Sequence, residues 1–269
     1  MAAQHLQHNQ QLSTSIRPAA LQDCGPDGLH RLPLNCPVEI SPWPESTDDC
    51  LFIAMRFDKK LTAPRALDLP DQLQNALARR QREFIAGRLC AAEAIQKTRG
   101  QKSFPTRNPD GSPSWPEGLT GSITHSHNLA IAAVGPSRLY RGIGVDLERT
   151  ILPEELPAIS SVILGQKEQA LWSRQMNSRM LTLLFSAKES LFKALYPDIP
   201  RYSDFKSSEL FRLLTPGTGL LRLTEDLSPR WASGHVVPFC YQATQDLVLT
   251  SVRVRKEQQT GCMSSQRPL

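Results

Sequence analysis

Apolar residues follow two different spacings along this chain, and each spacing predicts a different element. The apolar run from Cys50 to Phe57 has the length and composition of a β-strand. Downstream, apolar residues recur about every third or fourth position from Leu69 to about Thr98, which predicts one long helix with a bend near Arg82. The positions that carry this helical pattern are Leu73, Leu77, Phe84, Ile85, Leu89 and Ile95.

Prolines and glycines interrupt the pattern after the helix. They are frequent from Phe104 to Gly121, which predicts an irregular loop of a length that is often functional. From Gly121 to Gly135 the pattern predicts two strands joined by a turn at Ser and His residues, and a further strand follows from Arg141 to Glu148.

The second half of the chain is predicted to form helices first and strands afterwards. The last helix ends before Pro197, because proline cannot continue a helix. The predicted helices are Leu156–Ile163, Gln166–Met176 and Met180–Leu195, and the predicted strands are Leu210–Leu214, Gly219–Thr224, His235–Thr244 and Leu247–Arg253.

Composition limits the class of protein. With 269 residues, of which 40% are hydrophobic, the chain can form one large domain or two small ones. The polar stretch from Met1 to Gln22 lacks the features of a secretory signal, and the most apolar run, Leu129 to Val134, is too short to span a membrane. The six cysteines form no Cys-x-x-Cys pair, so we expect reduced thiols in a cytoplasmic protein.

Charge favours an anionic partner without identifying it. Lys and Arg outnumber Asp and Glu by 31 to 26, a net charge of +5. Arg79, Arg80, Arg82 and Arg88 lie together on the first predicted helix. Such a run is compatible with anion binding and also with an ordinary solvated helix face.

Two short motifs carry carboxylates in a pattern that suits a hard cation. In Gly-Ile-Gly-Val-Asp-Leu-Glu, which begins at Gly142, Asp146 and Glu148 are two apart in a strand and therefore share a face. In the last predicted helix, Glu189 and Lys193 are four apart and also share a face. Oxygen ligands of this kind suit Mg²⁺, and the lysine suits a phosphate. The alternative is a solvated edge strand and an ordinary helical salt bridge.

Polar residues that suit a phosphate also occur at the predicted strand after the loop. Thr124 and His125 are candidate donors to a phosphate oxygen, and the alternative is a turn whose polar groups satisfy one another. The glycines Gly142 and Gly144 permit close approach of a backbone or a ligand.

Taken in order, these segments resemble the 4'-phosphopantetheinyl transferases of the Sfp and EntD type, especially the subgroup that includes enterobactin synthase component D and the Pseudomonas carrier-protein transferase. The resemblance covers roughly Cys50 to Arg253. It rests on Glu-Phe-Ile-Ala-Gly-Arg, Ser-Pro-Ser-Trp-Pro-Glu-Gly, Gly-Ser-Ile-Thr-His-Ser, Gly-Ile-Gly-Val-Asp-Leu-Glu and Phe-Ser-Ala-Lys-Glu-Ser-Leu-Phe-Lys.

The resemblance implies an α+β fold of two pseudo-symmetric halves in one chain, with coenzyme A in the cleft between them. The implied halves are residues 50–137 and 138–256, and we expect a flexible or extended segment 1–49 before them and a tail 257–269 after them. The implied reaction moves the 4'-phosphopantetheine arm of coenzyme A to a serine of an apo acyl or peptidyl carrier protein and releases adenosine 3',5'-bisphosphate.

The resemblance also implies roles for the candidate residues of the second half. Asp146, Glu148 and Glu189 become ligands of Mg²⁺, and Lys193 binds the pyrophosphate of coenzyme A. Glu189 is in addition the implied general base, although a carboxylate bound to Mg²⁺ is a weaker base, so Asp146 or a metal-bound water remains an alternative.

In the first half, the resemblance makes Thr124 and His125 contacts of the coenzyme's phosphates, together with Arg80 and Arg88. Arg107, in the loop, is a further candidate. Some family members have a lysine where this chain has Ser112, so one phosphate contact is lost or made by the backbone.

Two other functions are compatible with parts of this sequence. One is a different Mg²⁺-dependent phosphotransferase acting on a nucleotide, which the order of the five segments opposes. The other is a non-catalytic basic module that binds nucleic acid. We expect that nucleic acid is not a partner of this chain. We expect a monomer that acts on an acidic carrier protein, in a pathway that the sequence leaves open among siderophore, nonribosomal peptide, polyketide and fatty-acid synthesis.

Overall fold

The computed structural model describes residues 26–43, 49–172, 176–199, 204–214 and 217–256. In this part of the chain, two antiparallel sheets each carry a long helix, so the predicted α+β class is confirmed. The predictions for the first residues up to Gln22 and for the tail 257–269 lie outside the described residues.

The first sheet has four strands in the order β1-β2-β6-β5. The hairpin β5–β6 turns at His127 and Asn128, whose positive φ angles of 47° and 62° are those of a tight turn. In chain order the elements are α1 (Pro26–Leu29), β1 (Val38–Ile40), β2 (Leu51–Arg56), α2 (Asp71–Gln74), α3 (Ala78–Arg99), β3 (Thr106–Arg107), β4 (Pro113–Ser114), β5 (Leu119–Ser126) and β6 (Leu129–Pro136).

The second sheet has five strands in the order β7-β11-β10-β9-β8. The short 3₁₀ helices Pro153–Glu155 and Phe205–Ser207 lie in its connections. The other elements are β7 (Tyr140–Arg149), α4 (Leu156–Ile163), α5 (Gln166–Trp172), α6 (Ser178–Leu195), β8 (Ser208–Leu213), β9 (Thr218–Leu223), β10 (Val236–Ala243) and β11 (Leu247–Arg255).

Two details differ from the sequence prediction. The long first helix is interrupted before α3 rather than near Arg82, because Leu73 is buried whereas Leu77 is 83% exposed and extended. The two leucines therefore do not share one helical face. The expected irregular loop after α3 contains the short hairpin β3–β4, in which Thr106 pairs with Ser114.

The core places the two sheets against each other and the long helices outside. Helix α3 packs on one face of the first sheet through residues such as Ala91 and Ile95, and α6 packs on the second sheet through residues such as Leu184 and Leu191. The opposite faces form a shared cluster, which contains Phe52 of the first sheet and Ile143 of the second. The edge strands β5 and β7 also contact each other, which brings the predicted site residues of both halves together.

Two expectations from composition concern membrane-spanning segments and cysteines. None of the helices in the described part of the chain has both the length and the apolar composition to cross a membrane. Of the cysteines in that part, Cys36, Cys50, Cys90 and Cys240 are free thiols.

Candidate active site

Strand β7 presents its two glycines and its two carboxylates on the same face, because the residues alternate in position along the strand. This face is covered by α6. A side chain on Gly142 would overlap the main-chain carbonyl of Ala194, and one on Gly144 would overlap that of Ser190. The close approach predicted from the glycines is therefore that of the α6 backbone.

The spacing of residues along α6 continues to match the spacing along β7 beyond the two glycines. Four helical residues rise about 6 Å and two strand residues about 6.6 Å, so each turn of α6 meets the next same-face position of β7. After Ala194 on Gly142 and Ser190 on Gly144, the hydroxyl of Ser186 accordingly lies 3.4 Å from the main-chain oxygen of Asp146. This match sets Glu189 of α6 beside the carboxylates of β7.

A buried hydroxyl cluster ties α6 to the sheet at the same level. Thr250 of β11 pairs with Asp146 of β7 in the strand register. Its Oγ1 lies 2.8 Å from the hydroxyl of Ser186 and 2.7 Å from that of Ser190. All three side chains are buried, so these hydrogen bonds define where the helix lies on the strand.

Asp146 is the most buried of the predicted metal ligands, with 3% of its surface exposed. Its Oδ1 accepts a hydrogen bond from Lys193 Nζ at 2.6 Å, and the same ammonium donates to the main-chain oxygen of Val145 at 3.2 Å. Its Oδ2 is buried and has no hydrogen-bond partner among the described residues. The Oδ2 oxygen of this buried carboxylate is therefore left to bind a further positive group.

The other two carboxylates are half-buried and electrostatically linked to Asp146. Burial raises the pKa of Glu148 to about 7, the charge of Asp146 adds to the rise, and Lys193 opposes it. Burial also raises the pKa of Glu189, again with Asp146 acting in the same direction and Lys193 against it. The predicted ligands thus lie close enough to repel one another, as carboxylates that share a cation do.

This set fits a divalent cation chemically. The unpartnered Oδ2 of Asp146 and the mutual repulsion of the carboxylates both favour a bound positive charge. Across the described residues, however, no three acidic, histidine or cysteine side chains already converge as a metal-binding group. At Asp146 the positive group in contact is the Lys193 ammonium, which lies 2.6 Å from Oδ1.

In the first half, Arg80 and His125 form one cluster of predicted anion ligands. Arg80 Nη1 lies 2.9 Å from His125 Nε2, and Glu83 Oε2 lies 3.7 Å from His125 Nδ1. Burial lowers the pKa of His125, with the charges of Arg80 and Lys193 acting in the same direction and Glu83 against them. The influence of Lys193 on His125 links this cluster to the carboxylates of the second half.

Arg88 and Arg107 form a second cluster. Arg88 is buried, donates to the main-chain oxygen of Thr106 at 3.3 Å and lies over the ring of Phe84, while its Nε has no partner among the described residues. Burial and the charge of Arg107 lower the pKa of Arg88 to about 10. A buried guanidinium with an unpartnered N–H, beside a second guanidinium, suits an anion.

The two clusters are separate. Arg80 and Arg88 are eight residues apart in α3, which corresponds to about 12 Å along the helix. Arg107 is exposed and donates to Gln72 at 2.7 Å. The structure therefore groups Arg80 with His125, and Arg88 with Arg107.

A cleft of about 680 Å³ lies beside Lys193, between the β3–β4 hairpin and the C-terminal end of α6. The hydroxyl of Tyr196 donates to Asp110 Oδ2 at 2.6 Å, which joins the two walls. Ser112 and Trp115 both line this cleft.

A second groove, of about 630 Å³, begins at Glu148 and runs along α4. Its lining is largely apolar, and two of its side chains are unusually exposed for their type, Leu152 at 45% and Val162 at 56%. The carboxylate site therefore has an open cleft on one side and an apolar groove on the other.

Several residues of the site were not predicted from the sequence. Glu83 is adjacent to both Arg80 and His125, and its spacing from Arg79 and Arg80 in a helix is the signal that indicates it. Thr250, Ser186 and Ser190 carry no such signal, because their contact depends on how β11 packs against α6.

Comparison with known families matches two regions of the chain. Residues 69–135 match the 4'-phosphopantetheinyl transferase N-terminal domain, and residues 142–251 match the 4'-phosphopantetheinyl transferase superfamily. The chain belongs to the 4'-phosphopantetheinyl transferase superfamily.

Individual proteins are also similar to this chain. The 4'-phosphopantetheinyl transferase Svp of Streptomyces mobaraensis is 32% identical over 208 residues, which cover 71% of this chain and 80% of the relative. Enterobactin synthase component D of Salmonella typhimurium is 30% identical over 62% of this chain and 64% of its own length. The 4'-phosphopantetheinyl transferase PptT of Mycobacterium tuberculosis is 29% identical over 55% of this chain and 66% of its own length.

Proposed function

We propose that this chain transfers the 4'-phosphopantetheine arm of coenzyme A to a serine of an apo acyl or peptidyl carrier protein in a Mg²⁺-dependent reaction. The serine oxygen bonds to the phosphorus that bears pantetheine, and the bond from that phosphorus to the bridging oxygen breaks. The products are the holo carrier protein, adenosine 3',5'-bisphosphate and the proton of the serine hydroxyl.

The observation that carries the proposal is the state of Asp146. Oδ1 of this buried carboxylate accepts a hydrogen bond from Lys193, and Oδ2 has no partner among the described residues. The residue lies where the two sheets meet. Asp146, Glu148 and Glu189 would hold the Mg²⁺, which when bound neutralises charge on the pyrophosphate. Lys193 would bind the same pyrophosphate as a compact positive charge.

The first half supplies the other anion contacts. Arg80 with His125, and Arg88 with Arg107, are the positive groups that would hold the 3'-phosphate of coenzyme A and the pyrophosphate oxygens that Mg²⁺ and Lys193 leave free. The cleft beside Lys193 gives the coenzyme room between the two halves.

The groove along α4 is the surface that we assign to the carrier protein. It begins at Glu148, so a partner lying in it brings its serine to the carboxylate site, and its exposed Leu152 and Val162 suit an apolar helix face. We also expect a cytoplasmic location, where the thiols of Cys36 and Cys240 stay reduced.

Mass spectrometry tests the reaction. The protein is incubated with coenzyme A, Mg²⁺ and an apo carrier protein, and the expected result is a carrier heavier by one phosphopantetheine arm. A carrier whose modified serine is replaced by alanine is the control. No mass gain with any of several apo carriers would show that the proposal is wrong.

Glu189→Gln separates the two tasks that the sequence leaves open for this residue. The variant is assayed for transfer and, separately, for Mn²⁺ affinity by electron paramagnetic resonance. Loss of both identifies a metal ligand, whereas loss of transfer with unchanged Mn²⁺ affinity identifies a proton acceptor.

A further inference from the structure

We infer that Thr124 is a positioning residue for Asp146 and does not bind a phosphate of coenzyme A. The inference rests on the proposed function, because it concerns the same carboxylate. It also separates Thr124 from its neighbour His125, although sequence spacing treats the two as one pair of phosphate ligands.

The hydroxyl of Thr124 makes two contacts, both with β7. It donates to Asp146 Oδ1 at 3.3 Å and accepts a hydrogen bond from the main-chain N–H of Leu147 at 3.1 Å. The residue is only 5% exposed. One side chain of the first sheet therefore contacts the predicted metal ligand and the residue that follows it.

The number of protons on a hydroxyl makes the two roles exclusive. Threonine has one O–H donor, and both a carboxylate and a phosphate oxygen are acceptors that require it. While Thr124 donates to Asp146, it has no proton for a phosphate. His125 differs, because its ring is partly exposed and lies beside Arg80, where an anion can approach.

The position of Leu147 strengthens the argument. Strand β7 is the edge of its sheet, so main-chain groups on its outer side have no neighbouring strand in that sheet. The Thr124 hydroxyl accepts the N–H of Leu147 there, in a buried place where an unpaired N–H is costly. The same hydroxyl thus anchors the strand and orients the carboxylate next to it.

Loss of the Thr124 hydroxyl should lower the affinity for the metal ion without directly lowering the affinity for coenzyme A. Loss of a residue that orients a metal ligand typically weakens metal binding about 10- to 100-fold. Thr124→Val removes the hydroxyl at nearly constant volume, and Thr124→Ser retains it. We expect the valine variant to bind Mn²⁺ about 10- to 100-fold more weakly with coenzyme A present, and the serine variant to bind it nearly as the wild type does.

Thr182→Val is the matched control. The Thr182 hydroxyl is also buried, accepts the main-chain N–H of Ile151 at 2.9 Å and donates to the main-chain oxygen of Ser178 at 2.6 Å, without contact to Asp146. Its loss removes the same kinds of hydrogen bond. We therefore expect lower thermal stability in Thr182→Val but unchanged Mn²⁺ affinity.

The experiment measures two dissociation constants for each variant, that of Mn²⁺ at saturating coenzyme A by electron paramagnetic resonance and that of coenzyme A in EDTA by calorimetry. The inference predicts that Thr124→Val changes the first and leaves the second within about twofold. The opposite pattern, or a matching loss of Mn²⁺ affinity in Thr182→Val, overturns it. If Thr124→Val is not recovered folded, Thr124→Ala deletes the hydroxyl in a smaller side chain and is judged by the same constants.

The wild type separates this inference from the proposed function. A wild-type protein that binds neither coenzyme A nor Mn²⁺ contradicts both. A wild-type protein that binds both, combined with a Thr124→Val variant that binds Mn²⁺ normally, contradicts only the role of Thr124.

Discussion

Lys193 and Asp146 form an ion pair across the contact between α6 and β7, with Nζ and Oδ1 separated by 2.6 Å. The side chain of the lysine is 27% exposed and that of the aspartate 4%, so the pair is buried at the carboxylate and open at the ammonium. The ammonium thus compensates a carboxylate that would otherwise be buried without a partner, and it remains accessible to an anion.

Replacement of Lys193 is expected to impair both coenzyme binding and transfer. Lys193→Met leaves Asp146 without its charged partner and removes a positive group from the cleft. A hydrogen bond to a charged group contributes about 1.5–3 kcal/mol, so kcat/KM for coenzyme A should fall roughly 10- to 100-fold. Lys193→Arg should retain part of the activity, and Lys167→Met, at an exposed position on α5, should retain all of it. Equal kcat/KM values for Lys193→Met and the wild type would exclude this role.

The raised pKa of Glu148 predicts that the metal-free protein loses stability as the pH rises. The folded state holds the proton up to about pH 7, whereas the unfolded state releases it near 4.5. The folded state therefore binds more protons between these values, and its stability falls across that window by at most about 3 kcal/mol. The free energy of unfolding, measured by urea unfolding in EDTA from pH 4.5 to 8, tests this prediction. Glu148→Gln should flatten the profile, and parallel profiles would show that Glu148 is not responsible.

The buried pair of Lys188 and Glu168 is expected to matter for stability. Lys188 Nζ lies 2.6 Å from Glu168 Oε2 and 2.9 Å from the main-chain oxygen of Ile163, while Glu168 Oε1 accepts the N–H of Leu210. Lys188→Met leaves a buried carboxylate unpaired and should cost about 3–5 kcal/mol of unfolding free energy. Combined with Glu168→Gln, which keeps an acceptor for Leu210, the loss should be smaller. Urea unfolding of both variants measures the difference, and an equal loss in both would contradict this explanation.

The groove assigned to the carrier protein can be tested separately from the coenzyme site. Val162 is 56% exposed in this groove, and Leu214 is 49% exposed elsewhere. Val162→Glu should raise the KM for the carrier roughly tenfold, because interface residues that matter contribute more than about 1 kcal/mol. The dissociation constant of coenzyme A should not change. Leu214→Glu should leave both quantities unchanged, and an equal effect of both substitutions would argue against the groove.

Local periodicity predicts most of the fold, because the signals for individual elements lie within a few residues. The spacing of apolar positions predicts α6, and Pro197 predicts its end. The break before α3 is not predicted, because Leu77 has an apolar side chain at a helical spacing and only the packing exposes it. The contact between β5 and β7 is likewise non-local.

The candidate site is likewise predicted in part by local spacing and in part only by the packing of distant segments. The spacing of Asp146 and Glu148 indicates a shared face, and that of Glu189 and Lys193 indicates another, but neither spacing shows that Lys193 contacts Asp146. The grouping of the arginines depends on His125 and Thr106, which come from different strands. The Thr-His motif predicts a phosphate contact for Thr124 as well as for His125, whereas the hydrogen bonds of Thr124 depend on the position of β7.

The packing of α6 on Gly142 and Gly144 limits how the length of this region can vary. One residue inserted into β7 after Gly144 would turn Asp146 and Glu148 to the opposite face of the strand. One residue inserted into α6 between Glu189 and Ser190 would rotate Glu189 by about 100° away from them. Insertions and deletions are therefore compatible with the site only in the connections outside these two elements, in which Arg149 and Arg179 are the exposed residues and all others are buried or half-buried.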